Sequence, residues 1–364
     1  MGKHKICVYA ICKNEEQFVD RWMDSVSEAD LVVVVDTGST DNTIEKLRQR
    51  GAQVYSYEIK PFRFDYSRNY ALSFVPDDVD ICVSPDLDEV FNPGWRKNLD
   101  EQWRDDTTRG NYLYNWSFAE DGTPMVQYVH ERIHARQNYH WIYPTHELLE
   151  YTGPGEEKRQ FFEGVVFNHH PDPKKDRSLN LPLLELAYEE RPNDGRTLHY
   201  LGREYLYAQM WQKCIDILKR YLEPGVSDWD EERSASMRFI ARSYGGLGNV
   251  YEQKKWLYKA IAEAPYLREP YVELEQLAYK ESDWLAVCFY ANEALKIRNK
   301  TLRYVNEGFA WDQTPDDLCA IACYQLGLYR QSAAHARAAL ELNPDDERLK
   351  NNLKLIEEKL KAEA

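Results

Sequence analysis

Short runs of apolar, often β-branched residues dominate the start of the chain. Residues 5–11 (Lys-Ile-Cys-Val-Tyr-Ala-Ile) and 31–35 (Leu-Val-Val-Val-Val) have the near-continuous apolarity of strands covered on both faces. Between them Phe18, Val19, Trp22, Met23 and Val26 recur at helical spacing within 16–27. Thr40-Asp41-Asn42-Thr43 supplies capping side chains for a second helix through Ile44 and Leu47, and Gly51 ends it. Val54–Tyr57 reads as a third strand, Ser67–Leu72 as the start of a helix, and Ile81–Val83 as a fourth strand. Alternating strand and helix predict a doubly wound α/β sheet, which takes its ligands at the carboxyl ends of the strands. Asn14, Asp36 and Asp86 all fall just past such ends.

The pattern changes twice further on. From Tyr112 to Phe167 it is strand and turn: Tyr112–Phe118, the turn at 120–123, then Val126–His134. This predicts antiparallel ribbons that extend the sheet and form its acceptor-binding half. After Lys174 the spacing is helical and repeats every ~34 residues. Leu201, Gly202 and Tyr205 open one copy, and Ala241, Tyr244, Gly248, Ala260 and Pro265 mark a second. Ala294-Leu295 closes a third, and Ala320, Gly327 and the run Ala339–Pro344 make a fourth, with Arg348–Lys361 as a capping helix. This matches the tetratricopeptide pattern over 195–344. The expected domains are therefore 1–175, α/β, and 176–364, an all-α tetratricopeptide-repeat superhelix with a concave groove.

Charge and composition narrow the possible functions. The chain has 61 acidic against 46 basic residues, a net charge of −15, which disfavours a general polyanion binder. Lys174, Lys175 and Arg177 form a local basic cluster all the same. No stretch approaches the ~18–20 consecutive apolar residues of a membrane span. The start, Met-Gly-Lys-His-Lys-Ile, runs directly into a strand, so no signal peptide is expected, and Ile6 breaks the myristoylation pattern. The seven cysteines form no disulfide framework. Cys319 and Cys323, at helical i, i+4 spacing in an Ala/Leu-rich stretch, read as core. A reducing, cytoplasmic location is expected.

The most pointed chemistry lies between Val83 and Phe91, in Asp86-Leu87-Asp88-Glu89. Carboxylates at i and i+2 past a strand end can close on one hard divalent cation, Mg²⁺ or Mn²⁺, of the kind shared with substrate phosphates. Enzymes that break a sugar–diphosphate bond need such a site, because the departing diphosphate must be neutralised. An acidic, solvated turn is the bland alternative.

Four motifs in register decide between them. Cys12-Lys13-Asn14-Glu15-Glu16, the segment Val35–Thr43 (Val-Asp-Thr-Gly-Ser-Thr-Asp-Asn-Thr), Ser67-Arg68-Asn69-Tyr70-Ala71-Leu72 and Asp86-Leu87-Asp88-Glu89 together resemble family 2 glycosyltransferases of the GT-A fold. The resemblance implies that Asn14, Glu15, Asp36, Arg68, Asn69 and Asp86 bind a nucleoside-diphosphate sugar, with UDP as the expected nucleotide. It implies Asp88 as principal metal ligand, with Asp86 reaching the ion or the donor ribose. Glu89 either supports this site or begins a helix, while Ser39 and Asp41 shape the turn. Trp141-Ile-Tyr-Pro-Thr-His146-Glu147 is similar to a His-Glu segment in a subset of these enzymes, which makes His146 and Glu147 the catalytic pair, with Glu147 as base. Asp121 of Glu120-Asp121 is the competing base, although Gly122-Thr123 makes it read as a hairpin turn. In Val165–His170, His169 is the expected third metal ligand, and a His ligand leans the choice from Mg²⁺ towards Mn²⁺. Lys175 and Arg177 are either a mobile lid over the diphosphate or a solvated helix start. The family subset often carries tetratricopeptide repeats after this strand, so the resemblance spans nearly the whole chain.

The leading expectation is thus a metal-dependent, inverting glycosyltransferase acting on a hydroxyl or thiol. The repeat groove suits a protein, peptide or glycan acceptor or a second copy of the chain. The alternatives are an adaptor whose α/β domain binds nucleotide without turnover, and a transferase acting on modified DNA bases, which the acidic charge disfavours.

Overall fold

The computed structural model describes residues 2–119, 121–172 and 178–362. By contact the chain separates into two compact units, Met1–Glu190 and Arg191–Ala364. The boundary expected at 175/176 lies outside the described residues.

The first unit opens with β1 (Ile6–Cys12), α1 (Val19–Val26), β2 (Leu31–Asp36), α2 (Thr43–Gln49), β3 (Gln53–Ser56), α3 (Phe64–Ser73) and β4 (Ile81–Val83). It continues with β5 (Glu89–Phe91), α4 (Trp95–Gln102), β6 (Arg109–Phe118), β7 (Pro124–Ala135), β8 (Tyr139–Ile142), β9 (Leu148–Tyr151), β10 (Arg159–His169) and α5 (Asn180–Glu190). Eight strands form one sheet in the order β3-β2-β1-β4-β7-β6-β10-β5, and β8 and β9 pair separately. Strands β1 to β4 are mutually parallel, whereas β7 runs antiparallel to both β4 and β6.

Period-2 alternation explains why β1 is apolar throughout. Ile6, Val8 and Ala10 pack with Val19, Trp22 and Val26 of α1 and with Trp95 and Leu99 of α4. Cys7, Tyr9 and Ile11 face the other way, onto Ala71 and Leu72 of α3 and Tyr139 and Trp141 of β8. Both faces are covered, as a parallel sheet requires. The expected ribbons at 112–118 and 126–134 are the long pair β6 and β7, joined by the turn after Phe118.

The second unit is all helix: α6 (Gly195–Tyr207), α7 (Trp211–Tyr221), α8 (Asp230–Gly246), α9 (Val250–Glu263), α10 (Glu269–Lys280), α11 (Trp284–Lys296), α12 (Thr314–Gln325), α13 (Tyr329–Leu342) and α14 (Glu347–Ala362). Consecutive helices are joined by short connections, except that residues 297–313 intervene between α11 and α12 and interrupt the repeat. Small residues at the pair contacts carry the tetratricopeptide signature: a Cβ on Gly202 would collide with Leu218 of the next helix. No described helix is long and apolar enough to cross a membrane.

Candidate active site

The carboxyl ends of β1, β2 and β4 lie side by side, and the loops that leave them are knitted together. Cys12 pairs with Asp36 in the β1–β2 register, while Cys7 pairs with Cys82 of β4. Asn14, at φ 55°, accepts from Thr40 N at 2.7 Å while its own N–H donates to Ser39 Oγ at 2.8 Å. Asp36, 2 % exposed, accepts from Gly38 N at 3.0 Å and Ser39 N at 3.1 Å. Glu15 is buried, and its N–H donates to Thr43 Oγ1 at 2.8 Å. Asp41 accepts from Thr43 N at 3.0 Å and so fixes the start of α2. Asn14 and Asp36 thus build the loop that walls this crevice, and nothing in their bonding requires a ligand.

Arg68, on the buried face of α3, is the hub of the site. Its Nη2 donates to Asp86 Oδ1 at 2.6 Å, its Nε to Glu147 Oε1 at 2.5 Å and its Nη1 to Ser84 Oγ at 3.3 Å. The guanidinium lies over the Trp141 ring, 4.9 Å from its centroid. Arg132 closes the arrangement: Nη1 donates to Asp86 Oδ2 at 2.7 Å, and Nη2 stands 3.8 Å from Glu147 Oε1. Burial opposes the Asp86 charge, but Arg132 and Arg68 outweigh it and hold the carboxyl well below the usual carboxylate range.

Both Asp86 oxygens accept from arginines, so Asp86 bridges two guanidinia. Arg68 is enclosed by carboxylates. Asn69 donates to Trp141 O and accepts from Trp141 N, both at 2.8 Å, which docks β8 onto α3. Lys175 and Arg177 lie outside the described residues.

Glu147 follows a tight segment in which Tyr143 and His146 take positive φ, 76° and 50°. Non-glycine residues rarely hold such angles unless their surroundings impose them. Here Phe64 N donates to Pro144 O at 2.9 Å and ties the segment to α3. His146 and Glu147 are therefore set on a backbone fixed relative to Arg68. Asp121, by contrast, sits in the β6–β7 turn and accepts from Thr123 N at 2.9 Å. That bond first of all keeps its exposed carboxyl low.

Asp88 meets His169 across the sheet. β5 and β10 are antiparallel, with His169 opposite Glu89, and His170 N donates to Asp88 O at 2.8 Å. His169 Nε2 lies 3.7 Å from Asp88 Oδ2, and both side chains are buried. Nδ1 of the same ring, 3.2 Å from the Trp116 carbonyl oxygen, can only donate there. That bond orients the ring and leaves Nε2 to face the carboxylate, the arrangement that typically presents a histidine to a metal. Burial works against a charged His169, but Asp88 raises it above its usual value. Beneath them Glu89 accepts from Asp86 N at 2.8 Å and from Tyr114 Oη at 2.7 Å. Burial pushes Glu89 up to about 7, with Arg132 opposing and Asp86 and Asp88 adding to the rise.

One carboxylate and one imidazole side by side could hold a divalent ion. Trp116, half exposed, stacks on His169 with centroids 4.3 Å apart and caps the pair. The residue that sequence reasoning missed is Arg132. An arginine in an amphipathic strand reads as solvent-facing, and only the bond from Ser84 N to Arg132 O, at 3.0 Å, brings it to Asp86.

Residues 7–151 match the family model described as Glycosyl transferase family 2. No curated protein matches the sequence. Among solved structures, the chain is similar to MamA, with 14% identity over 46% of this chain and 89% of that one, at a TM-score of 0.37. It is similar to PilF of Pseudomonas aeruginosa, with 12% identity over 50% of this chain and 72% of the other, at a TM-score of 0.37. It is also similar to glucosyl-3-phosphoglycerate synthase of Mycobacterium tuberculosis, solved with Mn²⁺, UDP and glucosyl-3-phosphoglycerate. That likeness has 24% identity over 31% of this chain and 44% of the other, at a TM-score of 0.27.

Proposed function

With residues 7–151 a glycosyl transferase family 2 domain, we propose that the chain is a metal-dependent, inverting glycosyltransferase. It moves a sugar from a nucleoside-diphosphate donor, UDP being the first to test, to an acceptor hydroxyl or thiol. The acceptor is a protein, peptide or glycan. The observation that carries the reading is the meeting of Asp88 with the oriented Nε2 of His169, beside the carboxylates that Arg68 and Arg132 gather.

Asp88 and His169 are the residues that would hold the divalent ion. When bound, that ion supplies positive charge against the departing diphosphate. Glu15 and Asp36 bound the end of the crevice where the nucleoside docks. Asp86 keeps Arg68 and Arg132 in place, and Arg68 in turn aims Glu147. Glu147 receives the acceptor proton as the acceptor atom attacks the anomeric carbon from the face opposite the diphosphate, which inverts that centre. His146 shapes the segment that carries Glu147, and Trp116 offers a ring face to the sugar.

The test is a hydrolysis screen of common nucleotide sugars with Mn²⁺, which needs no acceptor. At least one donor is expected to be cleaved, and Glu147→Gln is expected to lower transfer about 10²–10⁴-fold while leaving donor binding intact. Unchanged transfer in Glu147→Gln would remove Glu147 as the base. Absence of hydrolysis or nucleotide binding for every donor would remove the reading as a whole.

A further inference from the structure

The repeat unit contains a second cluster of ligating atoms, unconnected with glycosyl transfer. Cys319 and Cys323 stand one helical turn apart on α12, and Cys288 approaches them from α11. Cys288 Sγ lies 3.6 Å from Cys323 Sγ, and all three sulfurs fall within 4.8 Å of one another. Among the described residues this is the one group of three such side chains whose ligand atoms converge so closely. With metal–sulfur bonds of about 2.3 Å, a tetrahedral ion separates its thiolates by about 3.8 Å. The three sulfurs are therefore spaced for a single ion.

We propose that Cys288, Cys319 and Cys323 form a thiolate site for one thiophilic d¹⁰ cation, zinc or copper(I), that ties α11 to α12. Their surroundings suit this better than plain core packing. Cys319 and Cys323 are buried among Ala291 and their own helix, whereas Cys288 is partly exposed and gives an entry path. Glu275 of α10 is 0 % exposed, and neither of its carboxyl oxygens has a hydrogen-bond partner. A buried polar group without a partner calls for an explanation. Glu275 stands within electrostatic range of Cys288.

Binding moves no electrons. Each sulfur that enters as a thiol releases one proton to solvent as its bond to the cation forms. A disulfide between Cys288 and Cys323 would use two of the sulfurs and leave the third unexplained.

The test uses the full chain, reduced and stripped of metal. Zinc is titrated against a chromophoric chelator, with cobalt(II) as its spectroscopic stand-in, and copper(I) is titrated in a separate arm. One equivalent is expected to bind, with a sulfur-to-cobalt charge-transfer band and a melting temperature that rises with metal concentration. Cys288→Ser and Cys323→Ser should each weaken binding at least a hundred-fold, while Cys214→Ser, at a buried site on α7, should change nothing. If Cys323→Ser fails to fold, the partly exposed Cys288→Ser still decides. The two titrations separate the sources: one-equivalent binding in the zinc arm alone assigns zinc, and in the copper(I) arm alone assigns copper(I). Absence of the band, or equal affinity in Cys288→Ser and the parent chain, overturns the proposal. So does a Cys288–Cys323 disulfide formed under mild oxidation in a chain that binds neither metal when reduced.

Discussion

Each unit sets a pair of arginines among carboxylates, and the two clusters differ in what they adjoin. In the repeat unit Arg238 and Arg242 both pair with Glu273 and Glu307, two cations against two anions. Glu307 comes from the 297–313 insertion, so the insertion is held to α8 and α10 by this closed set. In the α/β unit Arg68 and Arg132 face Asp86, Glu89 and Glu147, with Asp88 adjoining. There burial first of all, then Asp86 and Asp88, push Glu89 up to about 7, and Asp88 raises His169 against burial. The Arg238–Arg242 cluster staples helices together. In the α/β cluster Asp88, beside the His169 imidazole, is the carboxylate that we propose a divalent cation joins.

The sharpest way to break this contrast is Arg68→Met. Removing the hub strands Asp86 and Glu147 and should destabilise the α/β unit by about 3–5 kcal/mol, the usual result of breaking a buried pair, with transfer lost as well. Denaturant unfolding together with donor hydrolysis measures both. Asp88→Ala should separate the two effects. Transfer should fall about a thousandfold, equivalent to about 4 kcal/mol, while the chain stays folded at the assay temperature. Loss of transfer only through unfolding would mean that Asp88 is a structural residue. Glu273→Ala supplies the counterpart: about 3 kcal/mol of lost stability, because Glu307 still faces both arginines, and kcat/KM unchanged at temperatures where the chain stays folded.

Protonation probes both units more gently. His134 is wholly buried, with Tyr9 Oη 2.8 Å from Nε2 and the Ala135 carbonyl oxygen 2.7 Å from Nδ1. Burial lowers it to about 3, and burial likewise lowers His199 of α6 to about 4. The folded chain therefore refuses protons that the unfolded chain accepts below the ordinary histidine value of about 6.5. The stability these neutral rings confer is complete above about 6.5 and falls as pH drops from there towards 4 and 3, by up to about 1.4 kcal/mol per pH unit for each ring. Unfolding curves across pH 4–7 should show this slope, and His199→Gln should flatten it for the repeat unit. The smallest effect belongs to Asp121→Asn: stability within about 0.5 kcal/mol, as for an exposed turn residue, and transfer near that of the parent chain. A large loss of transfer would return the base role to Asp121.

Strands β1, β2 and β4 were legible as apolar runs because both of their faces are buried, and the repeat was legible because small residues must recur wherever helices touch. The placing of Asp36 at the carboxyl end of β2 and of Asp88 just past β4 was legible because apolar strand runs end there. Other features depend on pairings that sequence spacing does not reveal. Asn69 reads as a polar residue at the mouth of a site, yet its amide matches one peptide unit of β8. Arg132 is 46 residues from Asp86 and meets it only through the antiparallel pairing of β4 with β7. Cys288 is equally hidden: Cys319 and Cys323 are visible as a helical pair, but the third sulfur comes from the preceding helix, across the insertion.

The central claim, that Asp88 and His169 hold a divalent cation, is tested most directly by calorimetry of UDP binding with and without Mn²⁺. The parent chain should bind the nucleotide much more tightly when Mn²⁺ is present, and Asp88→Ala should lose that gain while keeping its fold. Equal binding with and without Mn²⁺, or a full Mn²⁺ gain in Asp88→Ala, would contradict it.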